Sequence, residues 1–159
     1  STNIPEITAK FNPSCEARVY IGRGTSTTKA KLTIKSLANL QARDEFEYEI
    51  PIEHANMLKQ YRIGSIINKD RYFIPFDKAE HKELAEDGVN WEVDVYQKDQ
   101  IGLLVAEVEL PSKVVEQYDG HQNVIINLPE WINKEITDNK ELMNSYIALH
   151  GVRPLYITL

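Results

Sequence analysis

Charged side chains of a single sign occupy alternate positions in six short segments of the chain. Three segments are basic: around Arg18, over residues 31–35 and over residues 69–71. Three are acidic, over residues 45–49, 92–94 and 107–109. Lysine and arginine bind phosphate oxygens through charge-assisted hydrogen bonds, and carboxylate oxygens suit hard cations such as Mg²⁺ or Mn²⁺. The pattern therefore indicates a site for a polyanion and a divalent metal ion.

The spacing within each acidic segment determines how its carboxylates can act together. In a strand, residues i and i+2 project from the same face, with their backbones about 6.5–7 Å apart. The side chains of Glu107 and Glu109 can then converge on one metal ion. A single Glu-x-Glu pair is a weak signal, but six charged segments in one chain are more specific.

Strands are the elements that would position these side chains, because charged and apolar residues alternate with a period of two. The predicted strands cover residues 6–11, 16–21, 31–35, 45–50, 69–72, 91–96 and 105–110. Glycine-containing segments at 22–26, 87–88 and 100–102 predict the turns between them. Helices are predicted over residues 52–61, 78–86 and 112–118.

A last helix is predicted near the end of the chain. Thr137 and Asp138 offer caps, and Asp138 with Glu141 has the spacing of a capping box. Leu142, Tyr146, Ile147 and Leu149 follow on one broad face, and Gly151 is expected to end the helix.

The fold class predicted from these elements is α+β with an antiparallel sheet. If the sheet closes into a barrel, the charged faces line its lumen and helices cover the apolar faces outside. An open sheet packed on helices, with a charged face in water, would show the same alternation. The spacing leaves both architectures open.

Composition narrows the classes of function. The 159 residues are the length of one domain, and the net charge of −6 with no dense basic tract argues against nucleic acid as a partner. The single cysteine, Cys15, excludes an intrachain disulfide and argues against a cysteine-based zinc site. No apolar stretch approaches the length of a membrane span. We expect a cytoplasmic protein with no membrane partner.

The charged segments resemble those of a known family, the CYTH proteins or triphosphate tunnel metalloenzymes. The family includes inorganic triphosphatases, thiamine triphosphatases and a class of adenylate cyclases. The resemblance covers residues 5–149. The segments that carry it are Glu6-Ile-Thr-Ala-Lys10, Glu16-Ala-Arg18, Leu32-Thr-Ile-Lys35, Glu47-Tyr-Glu49, Lys69-Asp-Arg71-Tyr72, Glu92-Val-Asp94, Glu107-Val-Glu109 and, near the end, Pro129-Glu-Trp131 and Glu135-Ile-Thr137.

The resemblance implies one tunnel domain over residues 1–159, an eight-stranded antiparallel β-barrel with helices packed outside. It implies phosphate contacts from Lys10, Arg18, Lys35, Lys69 and Arg71. It implies metal ligation by Glu6, Glu107 and Glu109, with Mg²⁺ or Mn²⁺ as cofactor, and an acidic wall of Glu47, Glu49 and Asp94. The residues expected closest to the chemistry are Lys10, Glu6 and Lys69. The implied reaction is hydrolysis of an inorganic or organic triphosphate.

Departures from the family pattern keep two alternatives open. Thr8 stands where the family has a second glutamate, and Tyr20 stands where it has a second arginine. Glu45 occupies a position where many members have arginine. The first alternative is nucleotide cyclisation in the same tunnel, and the second is a non-catalytic module that binds a phosphorylated ligand. The partner expected in each case is a small-molecule triphosphate or nucleotide, and a homodimer stays open.

Overall fold

The computed structural model describes residues 15–23, 27–36, 44–111, 128–136 and 139–157. The chain divides into two compact units, residues 1–62 and residues 63–159. Among these described residues, each unit shows a three-stranded antiparallel sheet. The predicted strand at 6–11 and the predicted helix at 112–118 lie outside the described residues.

The first unit is built on strands β1 (Cys15–Arg23), β2 (Thr28–Ser36) and β3 (Glu45–Ile50), in that order across the sheet. Helix α1 (Ile52–Leu58) follows β3 and continues into a 3₁₀ turn, Lys59–Tyr61. The helix packs on β1 and β2, and its Ala55 is fully buried. The three predicted strands and the predicted helix at 52–61 are confirmed in this unit.

The second unit is built on strands β4 (Lys69–Pro75), β5 (Asn90–Tyr96) and β6 (Leu104–Val108), again in chain order. Helix α2 (Lys82–Glu86) lies between β4 and β5, and a 3₁₀ turn, Lys98–Gln100, precedes β6. A C-terminal segment follows with a 3₁₀ turn (Lys140–Leu142), helix α3 (Asn144–His150) and a 3₁₀ turn (Pro154–Tyr156). The strands predicted here are confirmed, although β6 is shorter than expected.

The second sheet buries side chains on both of its faces. One cluster holds Phe76, Leu84, Val89 and Trp91, packed against the partly buried Val93 and Ala106. A second cluster holds Tyr96, Leu103, Val105, Leu142 and Ile147. Because Val105 pairs with Asp94, this second cluster lies on the face of the sheet that carries Asp94. The C-terminal segment therefore packs on one end of the charged face, where the sequence had suggested helices on apolar faces.

The last helix begins later than its pattern suggested. The Asn139 side chain accepts a hydrogen bond from the Glu141 amide at 3.0 Å, which caps the 3₁₀ turn, and α3 begins at Asn144. Thr137 and Asp138, the predicted caps, lie outside the described residues. Gly151 ends the helix in a left-handed conformation, as expected. Ile147 is buried, whereas Leu149 is exposed, so the buried face is narrower than the sequence indicated.

The α+β class and the antiparallel pairing are confirmed. The strands seen are those of two three-stranded sheets, and an eight-stranded closed barrel is not shown by the described residues. In the same part of the chain, no helix has the length and apolar character needed to cross a membrane.

Candidate functional site

The charged face of the second sheet is organised around one buried carboxylate. Arg71 on β4 lies directly opposite Asp94 on β5, so the two side chains share a face. Arg71 donates from Nε to Asp94 Oδ1 at 2.7 Å and from Nη2 to Oδ2 at 2.8 Å. Lys69, on the same face of β4, donates from Nζ to Asp94 Oδ2. Asp94 is therefore held by two cations at once.

Two further carboxylates surround Arg71. The guanidinium donates from Nη1 to Glu92, and its Nη2 lies 3.5 Å from Glu107 Oε2. Glu92 and Glu107 face each other across β5 and β6. We call Lys69, Arg71, Glu92, Asp94 and Glu107 the Asp94 cluster. Its two cations and three carboxylates leave one net negative charge.

Electrostatics keep the centre of the cluster ionised. Burial by itself would raise the pKa of Asp94, but the hydrogen bonds from Arg71 and Lys69 outweigh burial and hold that pKa below its ordinary value. The hydrogen bond to Asp94 raises the pKa of Arg71 in turn. Both groups are therefore charged at neutral pH.

An aromatic ring supports Lys69 from another side. The Lys69 ammonium lies 5.6 Å from the centroid of the Tyr96 ring, within the range of a cation–π contact. Tyr96 is buried, and its hydroxyl donates to Asn144 Oδ1 on α3 at 2.6 Å. Tyr96 and Glu92 are not among the site residues predicted from the sequence. Both lie at alternate positions from Asp94 on β5, so they project from the same face. The period-two alternation of the sequence could therefore have identified them.

The first sheet carries a second charged face. Lys31 pairs with Glu47 at 3.0 Å, and Lys35 pairs with Glu45 at 2.9 Å. A hydrogen bond between the first two raises the pKa of Lys31 and lowers the pKa of Glu47. The strand register also places Arg18 opposite Thr33, and Thr33 opposite Glu47. The predicted site residues that share this face are Arg18, Lys35, Glu47 and Glu49.

Tyr20 lies on the same face, opposite Lys31, and is 56% exposed. Its ring covers Gly22, where a Cβ atom would lie 2.6 Å from the ring. A larger residue at position 22 would therefore displace the ring. At the position where the family has an arginine, this chain presents a phenol packed on its own strand.

The predicted metal ligands are only partly described. Glu107 and Glu109 are exposed at the end of β6, whereas Glu6 and the predicted phosphate ligand Lys10 lie outside the described residues. In the described ranges, no three His, Cys, Asp or Glu side chains come together as a metal-binding group. The two exposed carboxylates have the oxygen donors that Mg²⁺ and Mn²⁺ prefer, and water or substrate oxygens would complete the shell.

The described geometry defines a class: an antiparallel α+β protein with cations and carboxylates interleaved on its sheet faces. The chain is 33% identical over 121 residues to an inorganic triphosphatase from Acetivibrio thermocellus, a match that covers 76% of this chain and 65% of that protein. It is 30% identical over 122 residues to an inorganic triphosphatase from Nitrosomonas europaea, covering 77% and 70%. No protein-family model and no solved structure matches.

The chain belongs to the family of these triphosphatases, as a divergent member, and the resemblance recognised from the charged motifs is confirmed. The chain spans about two thirds of the length of the curated relatives it matches, 65% of the first and 70% of the second.

Proposed function

We propose that this chain hydrolyses a triphosphate with the help of a divalent metal ion, inside the eight-stranded antiparallel tunnel that the family resemblance implies. Inorganic triphosphate is the first substrate to test, because both relatives are named inorganic triphosphatase. The observation that carries the proposal is the Asp94 cluster, in which Lys69 and Arg71 lie beside carboxylates on one sheet face.

The charge of the cluster supports a requirement for metal. Its cations are outnumbered by its carboxylates, so the cluster alone would repel a polyanion. In the proposal, Glu6, Glu107 and Glu109 hold Mg²⁺ or Mn²⁺, which supplies Lewis-acid stabilisation of the charge on the transferring phosphoryl group. The side chain of Glu107 is 60% exposed, so it is accessible to a metal ion.

The chain's own cations bind and orient the substrate in this proposal. Lys69 and Arg71 contact phosphate oxygens from the second sheet, and Lys10, Arg18 and Lys35 are the further phosphate contacts that the family resemblance implies. Water attacks an end phosphoryl group, and the positioned cations stabilise the charge that moves onto the leaving oxygen. Lys10, Glu6 and Lys69 are the residues assigned nearest this step. Glu47, Glu49 and Asp94 complete the acidic wall.

A second candidate function is favoured by Tyr20. A phenol cannot replace the bidentate contact of an arginine with phosphate, and here the ring packs on Gly22. With Thr8 also standing in place of a carboxylate, a non-catalytic module that binds a phosphorylated ligand is the alternative.

Phosphorus NMR separates these functions. The purified chain is mixed with tripolyphosphate, ATP or thiamine triphosphate, with Mg²⁺ or Mn²⁺ present. Metal-dependent release of diphosphate and phosphate supports the triphosphatase, and cyclic AMP with pyrophosphate from ATP would indicate a cyclase. Line broadening without turnover supports the binding module. Glu109→Gln is expected to abolish turnover, whereas Glu83→Gln, on the exposed side of α2, serves as the matched control.

A further inference from the structure

A pocket bordered by aromatic rings lies in the second unit, on the side of the sheet away from the Asp94 cluster. Trp91, one of its walls, lies three residues before Asp94 on β5, and an odd separation along a strand places two side chains on opposite faces. The pocket extends from the end of β4 over the turn that follows it. Of the described residues that line it, none is assigned to phosphate or metal in the proposed function.

Four aromatic side chains form the walls of the pocket. Phe76 and Trp91 stack, with their ring centroids 5.2 Å apart and an angle of 22° between the ring planes. His81 meets Phe76 edge-on at 89°, and Trp131 meets Trp91 at 77°. The two outer rings therefore stand nearly at right angles to the stacked pair, and walls of different orientation border one space.

The core of the second unit holds part of this pocket in place. Phe76 and Trp91 are buried and pack in one cluster with Leu84 and Val89. Trp131 is 50% exposed, so part of its π surface is open to a ligand. A wall that is already ordered lowers the conformational entropy cost of binding. The pocket thus combines two fixed rings with one ring that a ligand can reach.

Size and charge indicate the class of ligand. The cavity has a volume of about 180 Å³, and a cavity of about 150 Å³ holds a molecule as large as benzene. Asp77 and Glu80 line it with carboxylates, and no lysine or arginine is among its described lining residues. Asp77 Oδ1 accepts a hydrogen bond from the Ala79 amide at 2.8 Å, which fixes this carboxylate in the turn after β4. Negative charge and aromatic rings therefore border the same cavity.

We propose that this pocket binds a small organic cation that carries a substituted ammonium group. The electron-rich face of an aromatic ring attracts a cation, and alkyl groups on the nitrogen fill apolar space that a hydrated metal ion does not fill. The carboxylates of Asp77 and Glu80 favour a cation over a neutral molecule of the same shape. They also disfavour an anion such as triphosphate. The pocket is therefore a second site, separate from that of the proposed function.

The test compares choline with 3,3-dimethylbutan-1-ol, a neutral molecule of the same shape. Trp91 and Trp131 are the two tryptophans of the chain, so intrinsic fluorescence reports on the pocket and needs no turnover. Each ligand is titrated into the purified chain at constant ionic strength, adjusted with sodium chloride. We expect a saturable fluorescence change with choline, with a dissociation constant in the millimolar range. Binding of the alcohol should be at least about fivefold weaker.

Two variants separate the contribution of the rings from that of the carboxylates. Trp131→Leu keeps an apolar side chain and removes the accessible ring, so it should weaken choline binding by about tenfold, with Trp91 still reporting. Asp77→Asn with Glu80→Gln removes both charges and keeps an acceptor for the backbone amide, and should weaken binding by about three- to tenfold. Glu83→Gln is the matched control, because it removes a carboxylate of α2 that does not line the pocket. It should leave the affinity for choline unchanged.

Three results would overturn the proposal. The first is the absence of a saturable response to choline at tens of millimolar, and the second is equal affinity for the alcohol, which would indicate a purely hydrophobic pocket. The third is unchanged choline binding in a folded Trp131→Leu protein. The comparison of the two ligands uses the wild-type chain, so it is decisive even if a variant does not fold. A chain that binds choline without hydrolysing triphosphate would contradict the proposed function alone, and an active chain that does not bind choline would contradict the cation site alone.

Discussion

The two charged sheets are made from the same kind of sequence and differ in how their charges are held. In the first sheet, Lys31 and Glu47 pair one to one with side chains 43% and 46% exposed. In the second, Lys69 and Arg71 share Asp94, which is fully buried. Exposed pairs contribute about 0–1 kcal/mol because water and salt screen them. Removing one partner of a buried pair costs about 3–5 kcal/mol.

Register and packing explain this difference. In the second sheet an arginine faces an aspartate directly, and a lysine two residues away reaches the same carboxylate. The C-terminal segment then covers Tyr96, the next residue on that face of β5. Among the described strands of the first sheet, the acidic strand β3 is the last in the order, and its side chains are mostly exposed. Alternating charge thus produces either a solvated face or a preorganised cluster.

The largest expected effect is on folding. Asp94→Ala leaves two cations beside an empty buried position and should lower the free energy of unfolding by about 3–5 kcal/mol. Glu47→Ala, the equivalent deletion in the first sheet, should lower it far less, because water and salt screen that exposed pair. Urea denaturation of both variants measures the comparison. Equal losses would mean that the two sheets do not differ as described.

Substitutions in the two sheets should also differ in their effect on the affinity for tripolyphosphate. Lys69→Ala with Arg71→Ala should weaken tripolyphosphate binding by at least about 100-fold, because two charged hydrogen-bond donors are lost at about 1.5–3 kcal/mol each. Calorimetry at low salt is the measurement, with circular dichroism as a check of folding. Lys31→Ala is the comparison variant, and an equal effect there would move the binding site away from the Asp94 cluster.

Much of this arrangement could be predicted from the sequence, because a period of two is a property of strand geometry. The alternation placed Lys69, Arg71 and Asp94 on one face, and the structure brings those three together. Which carboxylate is buried could not be predicted, since Glu92 and Asp94 have the same chemistry and the same parity. The choice depends on register and on packing between distant parts of the chain.

The start of the last helix also could not be predicted from the sequence. The helical pattern after residue 138 was visible, but the Asn139 side chain accepts a hydrogen bond from the Glu141 amide, and the 3₁₀ turn that it caps precedes the helix. One side-chain hydrogen bond to the backbone can change where a helix begins, and it does so without changing the hydrophobic periodicity of the sequence. The site residues Glu6 and Lys10 lie outside the described residues, so their roles stay predictions.

The pH dependence of stability should reflect the lowered pKa of Asp94. A carboxyl whose pKa is lower in the folded state stabilises the fold above its unfolded pKa, about 3.9, and loses that contribution as pH falls through the folded value. The stability difference between wild type and Asp94→Asn should be constant from pH 5 to 8 and shrink below pH ~4. Thermal melts across this range test it, and a difference that grows on acidification would contradict the sign.

The smallest expected effect is at the edge of the cluster. Tyr96→Phe keeps the ring over Lys69 and removes the hydrogen bond to Asn144, so it should destabilise the protein by about 1 kcal/mol. Amide exchange in α3 should accelerate, because that hydrogen bond joins β5 to the helix. Unchanged exchange in α3 would show that the Tyr96 hydroxyl does not anchor the helix.

The most direct test of the central claim is phosphorus NMR of tripolyphosphate with Mg²⁺ and three proteins: wild type, Arg71→Lys and Lys31→Ala. Arg71→Lys keeps the charge and removes the two-point contact with Asp94. The account predicts diphosphate and phosphate from wild type and Lys31→Ala at similar rates, and at least about tenfold slower release from Arg71→Lys. No products from wild type with Mg²⁺ or Mn²⁺, or an unimpaired Arg71→Lys, would contradict it.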